Sequence, residues 1–355
     1  MKSKNTKLPF TAGIMQASAA GARRMPARPG RRRWIPGLAA ALLSLSAVHA
    51  YAQSYPSQPI KLIVPTGSGG GMDLMARVVG AKMGEILGQS IVVENKPGAN
   101  GSIGVVQAGH AAADGYTVLL GQTAQFAINP YLYSQLPYDP VKDFIPVVMI
   151  ADAPNVVVIP ENSPYKGLAD FVAAAKKANE QGKMLNLATP GNGTVSHLTG
   201  ELFQQSAGIR LAHIPYKGAA TAITDTIAGR VQLLMSSVPT SLGQIKNGRL
   251  KPIAVSAAKR SPSLPRVPTI GESGYPGFDA GTWYGLFVPA DTPAEIVQRL
   301  NDAANQALKS PSVKETIQSE GGDALGGTSA QFADVIRADA AKWSKVVAQS
   351  GAKID

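Results

Sequence analysis

The chain has 355 residues and no cysteine, which removes disulfides, thiolate metal sites, cysteine nucleophiles and a lipid-anchored mature N-terminus. Its net charge of +11 is concentrated at one end: residues 1–52 hold nine Lys and Arg and no Asp or Glu, leaving 25 basic against 23 acidic residues, about +2, in the rest. That balance excludes the concentrated basic surface of a nucleic-acid-binding protein, and the four histidines (49, 110, 197 and 213) have no metal-ligand spacing, so no metal or cofactor is expected.

The first 52 residues read as a leader. Arg31, Arg32 and Arg33 precede an apolar run over 34–48, and Ala50-Tyr51-Ala52 follows as an A-x-A site. The run is too short, and too rich in Ala and Ser, for a membrane span. Cleavage is expected after Ala52, with Ala50 as the alternative, making Gln53 the first mature residue. The basic region fits both general secretion and a twin-arginine signal, and Met25 as the start would give a leader of ordinary length.

Beyond the leader, short β-branched runs alternate with helical patterns. Strands are predicted at 60–64, 90–94, 116–120, 155–159, 184–188, 231–235 and 252–256. A helix with Met75, Val79, Met83 and Ile86 on one face follows the first strand. The C-terminal third is more helical. Thr292-Pro293-Ala294-Glu295 reads as a capping box, and Phe332, Ile336, Ala340, Trp343 and Val347 form a core-facing stripe. Strand–helix alternation over about three hundred residues predicts two α/β lobes, each a mostly parallel sheet flanked by helices.

Four small-residue loops follow predicted strands. Thr66, Gly67, Ser68, Gly69, Gly70, Gly71, Met72 and Asp73 lead into the first helix, where free N–H groups attract anions. The spacing matches neither G-x-G-x-x-G nor a P-loop, and Asp73 is placed equally well to cap the helix or to face a ligand. Gln122 and Thr123 form a second loop. Gly191, Gly193 and Thr194 form a third, with Thr194 as N-cap. Tyr216 and Lys217 form a fourth, Lys217 serving either as an anion contact or as a solvated turn residue. Ser196 and His197 are adjacent, so on a helix they point about 100° apart and make no nucleophile–base pair. Ligands of open α/β sheets bind beyond the carboxyl ends of strands, so two such sheets facing each other make a donor-lined cleft suited to carboxylates. With no catalytic constellation beside it, binding is expected rather than catalysis.

The motifs YPSQPIKLIVP (55–65), GGGMD (69–73), VENKPGA (93–99), ADGYT (113–117), SHLTGELF (196–203), PYKG (215–218), VSAAKR (255–260) and WYGLF (283–287) resemble the tripartite tricarboxylate transporter substrate-binding proteins, the Bug family, in order along the mature chain. The resemblance implies a type II periplasmic-binding-protein fold, with lobe 1 over 53–153 and 256–355 and lobe 2 over 154–255. It also implies a periplasmic protein holding a di- or tricarboxylate, a carboxylated amino acid or an aromatic acid between the lobes and delivering it to integral membrane transporter subunits. The alternatives are a periplasmic ligand sensor feeding a signalling system and a hydrolase using Ser196 or Asp73. The chain departs from the family pattern at Thr66, where an aromatic residue is usual, and at Met72, where a small hydroxyl residue is usual. Thr66 then opens space and Met72 fills it with apolar surface, which points to a larger or more apolar acid.

Overall fold

The computed structural model describes residues 55–69 and 71–354; the expected leader and Gly70 of the first loop lie outside the described residues. The first strand, β1 (Ile60–Val64), buries Ile60, Leu62, Ile63 and Val64, as a strand covered on both faces must. It runs parallel to β2 (Ile91–Asn95) on one side and β3 (Thr117–Gln122) on the other. Between β1 and β2, α1 (Gly71–Leu87) lays Met72, Met75, Val79 and Met83 on the sheet. Between β2 and β3 lies α2 (Ser102–Gly109), and a helical turn leading into α3 (Asn129–Leu132) follows β3.

The next strand, β4 (Phe144–Pro160), has 17 residues, about 55 Å of extended chain. Its first part, Phe144 to Pro154, pairs antiparallel with β9 (Gly281–Pro289). From Asn155 onward it pairs antiparallel with β7 (Leu233–Ser237) and β8 (Leu250–Val255). One strand therefore belongs to two sheets, and the change of partner falls between Pro154 and Asn155. The second sheet is completed by β5 (Leu185–Thr189), which is parallel to β6 (Leu211–Pro215) and to β7. Helices α4 (Leu168–Glu180), α5 (Val195–Ala207), α6 (Ala219–Ile227) and α7 (Val238–Lys246) alternate with its strands. After β9 the chain adds α8 (Ala294–Leu308), α9 (Pro311–Ser319), the short β10 (Asp323–Ala324) on β4, and α10 (Ser329–Ser350). The main strand order is β2-β1-β3-β9-β4-β7-β5-β6. Pairing is parallel in each wing, and the antiparallel pairs gather around β4 and β9, where the chain passes between sheets. This is the two-lobed α/β fold that the alternation of elements predicts.

Three apolar clusters hold it together. Met75, Val79, Leu300 and Ile317 cover one face of the first sheet, and Val156, Leu234, Leu242 and Leu250 one face of the second. The third cluster is continuous across both lobes. It runs from Phe126, Phe287, Phe332 and Trp343 to Phe171, Leu187 and Phe203. Phe126 and Phe287 stack with centroids 3.7 Å apart, and Trp283 meets Phe332 edge-on at 5.1 Å.

The predicted strands lie within about two residues of those observed. The first half of β4, all of β6 and β9, and the two-residue β10 have no counterpart among the predicted ranges. Pro146 argues locally against a strand, yet the register shifts between Pro146 and Val148, and bulged pairing tolerates proline; Pro154 is the last residue paired with β9, opposite Gly281. Thr292 forms no capping box: its hydroxyl donates to the Pro289 carbonyl at 2.7 Å, and α8 starts without a side-chain cap. A full capping box stands instead at Thr328 and Gln331, at the head of α10.

Candidate ligand cleft

The parallel registers align the carboxyl ends of β1, β2 and β3, and likewise those of β5, β6 and β7. The crossover brings the two sets together. Gln122 pairs with Tyr284 of β9, β9 pairs with β4 up to Pro154, and the next residue, Asn155, pairs with Ser237 at the end of β7. Loops from both sheets therefore flank one line through Pro154 and Asn155.

In the first loop Ser68 and Gly69 are exposed, and Gly69 takes φ 83°, a conformation that favours glycine. The Gly69 N–H donates to Asp73 Oδ2 at 2.9 Å. The same carboxylate accepts from Arg77 and, at 3.0 Å, from Asn95 Nδ2, whose other bond goes to the Thr66 carbonyl. Asp73 is only 4% exposed, and its hydrogen bond with Arg77, against the cost of burial, holds its carboxyl below the ordinary range. Asp73 thus fastens the loop and does not offer itself to a ligand. Met72 is also corrected: at 6% exposed it sits in the core cluster with Met75 and Val79, because the first turn of α1 already faces the sheet. It does not fill the space left by Thr66, whose own hydroxyl is buried without a partner among the described residues.

At the end of β3, Gln122 is half-buried, and its N–H donates to Gln125 Oε1. Thr123 is fully buried, and its Oγ1 accepts the Trp283 N–H at 2.8 Å. It ties β3 to β9, a structural duty that corrects its placement as a ligand contact.

In the second lobe Thr194 caps α5 as predicted, accepting the His197 N–H, and its hydroxyl donates to the Gly191 carbonyl at 2.9 Å. Gly193 takes φ 71°, and its N–H donates to His197 Nδ1 at 3.2 Å. The Gly193 backbone is covered by Ile354 and Leu132, so any side chain there would collide with Ile354. His197 stacks on His213 at 3.9 Å, and His213 Nε2 meets Thr189 Oγ1 at 2.7 Å. Burial, then the neighbouring His197, pushes His213 down to about 4. The two imidazoles clamp the loop at Thr189 and Gly193, while Ser196 turns the other way and donates to Asn155 Oδ1 at 2.7 Å. Tyr216 packs on the second lobe's core, and its hydroxyl donates to Asp225 at 2.8 Å, away from the loop; this corrects its place among the contacts. Its backbone N–H, and that of Gly218, instead bind the carbonyls of Thr189 and Pro190. Lys217 is exposed on this braced turn, with no carboxylate within ion-pair distance among the described residues.

Sequence reasoning missed two loops and the joint. The turn after β2 holds Ala99 and Asn100 at positive φ, pinned by bonds from Asn100 to Asn129 and from Gln125 to the Asn100 carbonyl. Its dense Pro, Gly and Asn were the available signal. After β7, Ser237 and Thr240 share a 2.6 Å hydroxyl bond, and Pro239 just inside α7 was the signal there. Asn155 is 1% exposed, and nothing in its sequence context marks it.

A family model described as "Tripartite tricarboxylate transporter family receptor" matches residues 75–352. Protein BugT of Bordetella pertussis is 36% identical over 305 residues, 85% of this chain and 92% of that one. A solved structure described as R. palustris Rpa4515 with adipate is 34% identical at a TM-score of 0.74, covering 84% of this chain and all of the other. MatC (Rpa3494) from Rhodopseudomonas palustris with bound malate is 30% identical at a TM-score of 0.70, covering 82% of this chain and all of the other. With that coverage, and with the motifs in order on a two-lobed fold, the chain belongs to the tripartite tricarboxylate transporter receptor family.

Proposed function

We propose that this receptor acts in the periplasm as a non-catalytic solute-binding protein, capturing a small carboxylate between lobe 1 (53–153 and 256–355) and lobe 2 (154–255) and delivering it to membrane transporter subunits. The observation that carries the reading is the meeting of two sets of strand carboxyl ends along Pro154 and Asn155. Adipate and malate in the two relatives support the ligand class. The first-lobe contacts are the backbone of Ser68 and Gly69 and the side chain of Gln122. The second lobe contributes Gly191, Thr194 and the Lys217 ammonium. Closure is driven by whatever affinity the ligand has for the closed form beyond the open one.

A thermal-shift screen of the protein from Gln53 onward, against mono-, di- and tricarboxylates, tests this. A ligand that binds only the folded state raises Tm by mass action. A shift confined to one acid class names the ligand. Folded, ligand-free protein that responds to no carboxylate contradicts the reading.

A further inference from the structure

The small-residue loop of the second lobe holds an asparagine whose chemistry the capture reading does not use. The chain has three Asn-Gly pairs: Asn100-Gly101, Asn192-Gly193 and Asn247-Gly248. In such a pair no side chain on the second residue shields its backbone nitrogen from the asparagine side-chain carbonyl. The three differ in what holds the glycine N–H. Gly101 donates to the Gly98 carbonyl at 2.9 Å, and the Asn100 side chain is pinned to Asn129. Gly248 donates to the Ile245 carbonyl at 3.0 Å. Of the three, Gly193 alone donates to a base, His197 Nδ1, at 3.2 Å.

The surroundings prepare His197 for that proton. Because Nδ1 accepts from Gly193, the ring's own proton sits on Nε2. Nε2 faces Glu201 Oε1 at 3.6 Å, so the imidazolium formed by a second proton meets a carboxylate of its own helix. His213, from β6, covers the ring face at 3.9 Å and is itself held at Thr189 Oγ1. Glu201 and His213 are the titratable groups that face His197 among the described residues. His197 is 5% exposed and fixed in place. Asn192 is the opposite: it is exposed, and its side chain forms no hydrogen bond among the described residues. It can turn towards the Gly193 nitrogen, with an open path for ammonia to leave and water to enter. Base and electrophile do not compete for one side of that nitrogen. The N–H points to the imidazole within the peptide plane, whereas attack uses the electron pair perpendicular to it.

We propose that Asn192 is a deamidation site with His197 as its internal base. The Gly193 nitrogen bonds to Asn192 Cγ while its proton passes to His197 Nδ1. The Cγ–Nδ2 bond then breaks, and Nδ2 takes that proton and departs as ammonia, leaving a cyclic imide across residues 192 and 193. Water opens the imide at one carbonyl or the other, giving isoaspartate or aspartate at 192, with no oxidation or reduction. Each conversion places a carboxylate beside Gly191 and Thr194. That this charge repels the ligand is the one consequence that rests on the capture reading.

The folded, ligand-free protein from Gln53 onward is held in buffers from mildly acidic to mildly alkaline, and peptide mapping by mass spectrometry reads conversion at Asn192 and Asn247. Dividing each rate by that of the same site in the urea-unfolded chain removes the effect of neighbouring sequence. The normalised rate at Asn192 is expected to exceed that at Asn247 by about a hundredfold, the low end of what a positioned base contributes. His197→Gln keeps an acceptor for the Gly193 N–H but no base, and is expected to abolish the excess. In wild type the rate at Asn192 should level off with rising pH once His197 is neutral, while that at Asn247 keeps rising with hydroxide; this readout needs no variant. A normalised rate at Asn192 no greater than at Asn247, or an excess that survives His197→Gln, overturns the proposal. Asn192→Asp is expected to weaken adipate binding about fivefold, as one added like charge in water does. Unchanged adipate affinity in that variant, alongside conversion at Asn192 in wild type, overturns only the ligand reading of this loop.

Discussion

Asn155 and Ser256, separated by 101 positions, exchange two hydrogen bonds: the Asn155 N–H donates to Ser256 Oγ at 2.9 Å, and the Ser256 N–H returns to the Asn155 carbonyl at 2.9 Å. The outgoing and returning crossovers are thereby stitched at one point. The Asn155 side chain extends the stitch into the second lobe, accepting from Ser196 and donating to Thr199 at 3.1 Å. Ser256 extends it to β9 through the Ala280 carbonyl and N–H.

Breaking that joint leaves buried partners unsatisfied. Asn155→Ala strands the hydroxyls of Ser196 and Thr199, each worth about 1–3 kcal/mol. Urea unfolding should show a lower midpoint. Ser196→Ala, which removes only one partner of the Asn155 side chain, should lose less. An unchanged midpoint in Asn155→Ala would mean the joint carries no stability.

The aromatic stack spanning β9 and the turn after β3 is the second test. Phe287→Ala removes a fully buried ring that stacks on Phe126 and packs against Phe332, and should cost about 3–5 kcal/mol. Chemical denaturation reads it directly. A cost under about 1 kcal/mol would mean that the core collapses around the gap.

How much of this was legible beforehand divides along a physical line. Periodicity found β1, β2 and β3 of one wing and β5 and β7 of the other, because each holds a short β-branched or apolar run; β6, whose sequence is LAHIP and which is half-buried, was not among the predicted ranges. It also found Thr194, because an N-cap is a local bond. The crossover was not legible: half of β4 is stabilised by β9, more than a hundred residues away, and its prolines argue locally against a strand. The site divides likewise. The small-residue loops were found from composition, but side-chain direction was not. Met72, Asp73, Thr123 and Tyr216 stand in or beside those loops and turn into the core, into an Arg77 and Asn95 network, onto Trp283 and onto Asp225. Spacing alone cannot distinguish a residue that lines a loop from one that braces it.

Two groups give the fold opposing pH responses. His213 is depressed to about 4, so the unfolded chain binds its proton first as pH falls. Its contribution is complete above about 6.5 and is lost as pH falls towards about 4. Asp152 is raised to about 6, so its contribution is complete below about 4 and is lost as pH rises towards about 6. The two partly cancel between those limits. His213→Gln should leave a stability that declines with rising pH across that window, and Asp152→Asn one that increases. Denaturation midpoints measured at several pH values check both signs, and the same slope in both variants would refute the assignment.

The C-terminal segment bridges the lobes at the loop itself. Ile354 donates its N–H to the Leu132 carbonyl at 3.0 Å and packs on Gly193. Gly193→Ala meets both a positive φ and the Ile354 side chain, and should cost about 1–3 kcal/mol. Adding Ile354→Ala should recover the part due to collision and leave the backbone strain. Full additivity of the two losses would place Ile354 elsewhere in solution.

The absence of native cysteine allows the central claim to be tested on a clean background. Cysteines replacing Glu85 on α1 and Lys176 on α4 place one label on each lobe, and their separation can be followed by electron–electron dipolar spectroscopy as adipate or malate is added. Capture between the lobes predicts a saturable shortening of that distance that is lost or weakened in Lys217→Ala. A distance that stays fixed while calorimetry shows the acid bound would contradict closure over a carboxylate as the function of this fold.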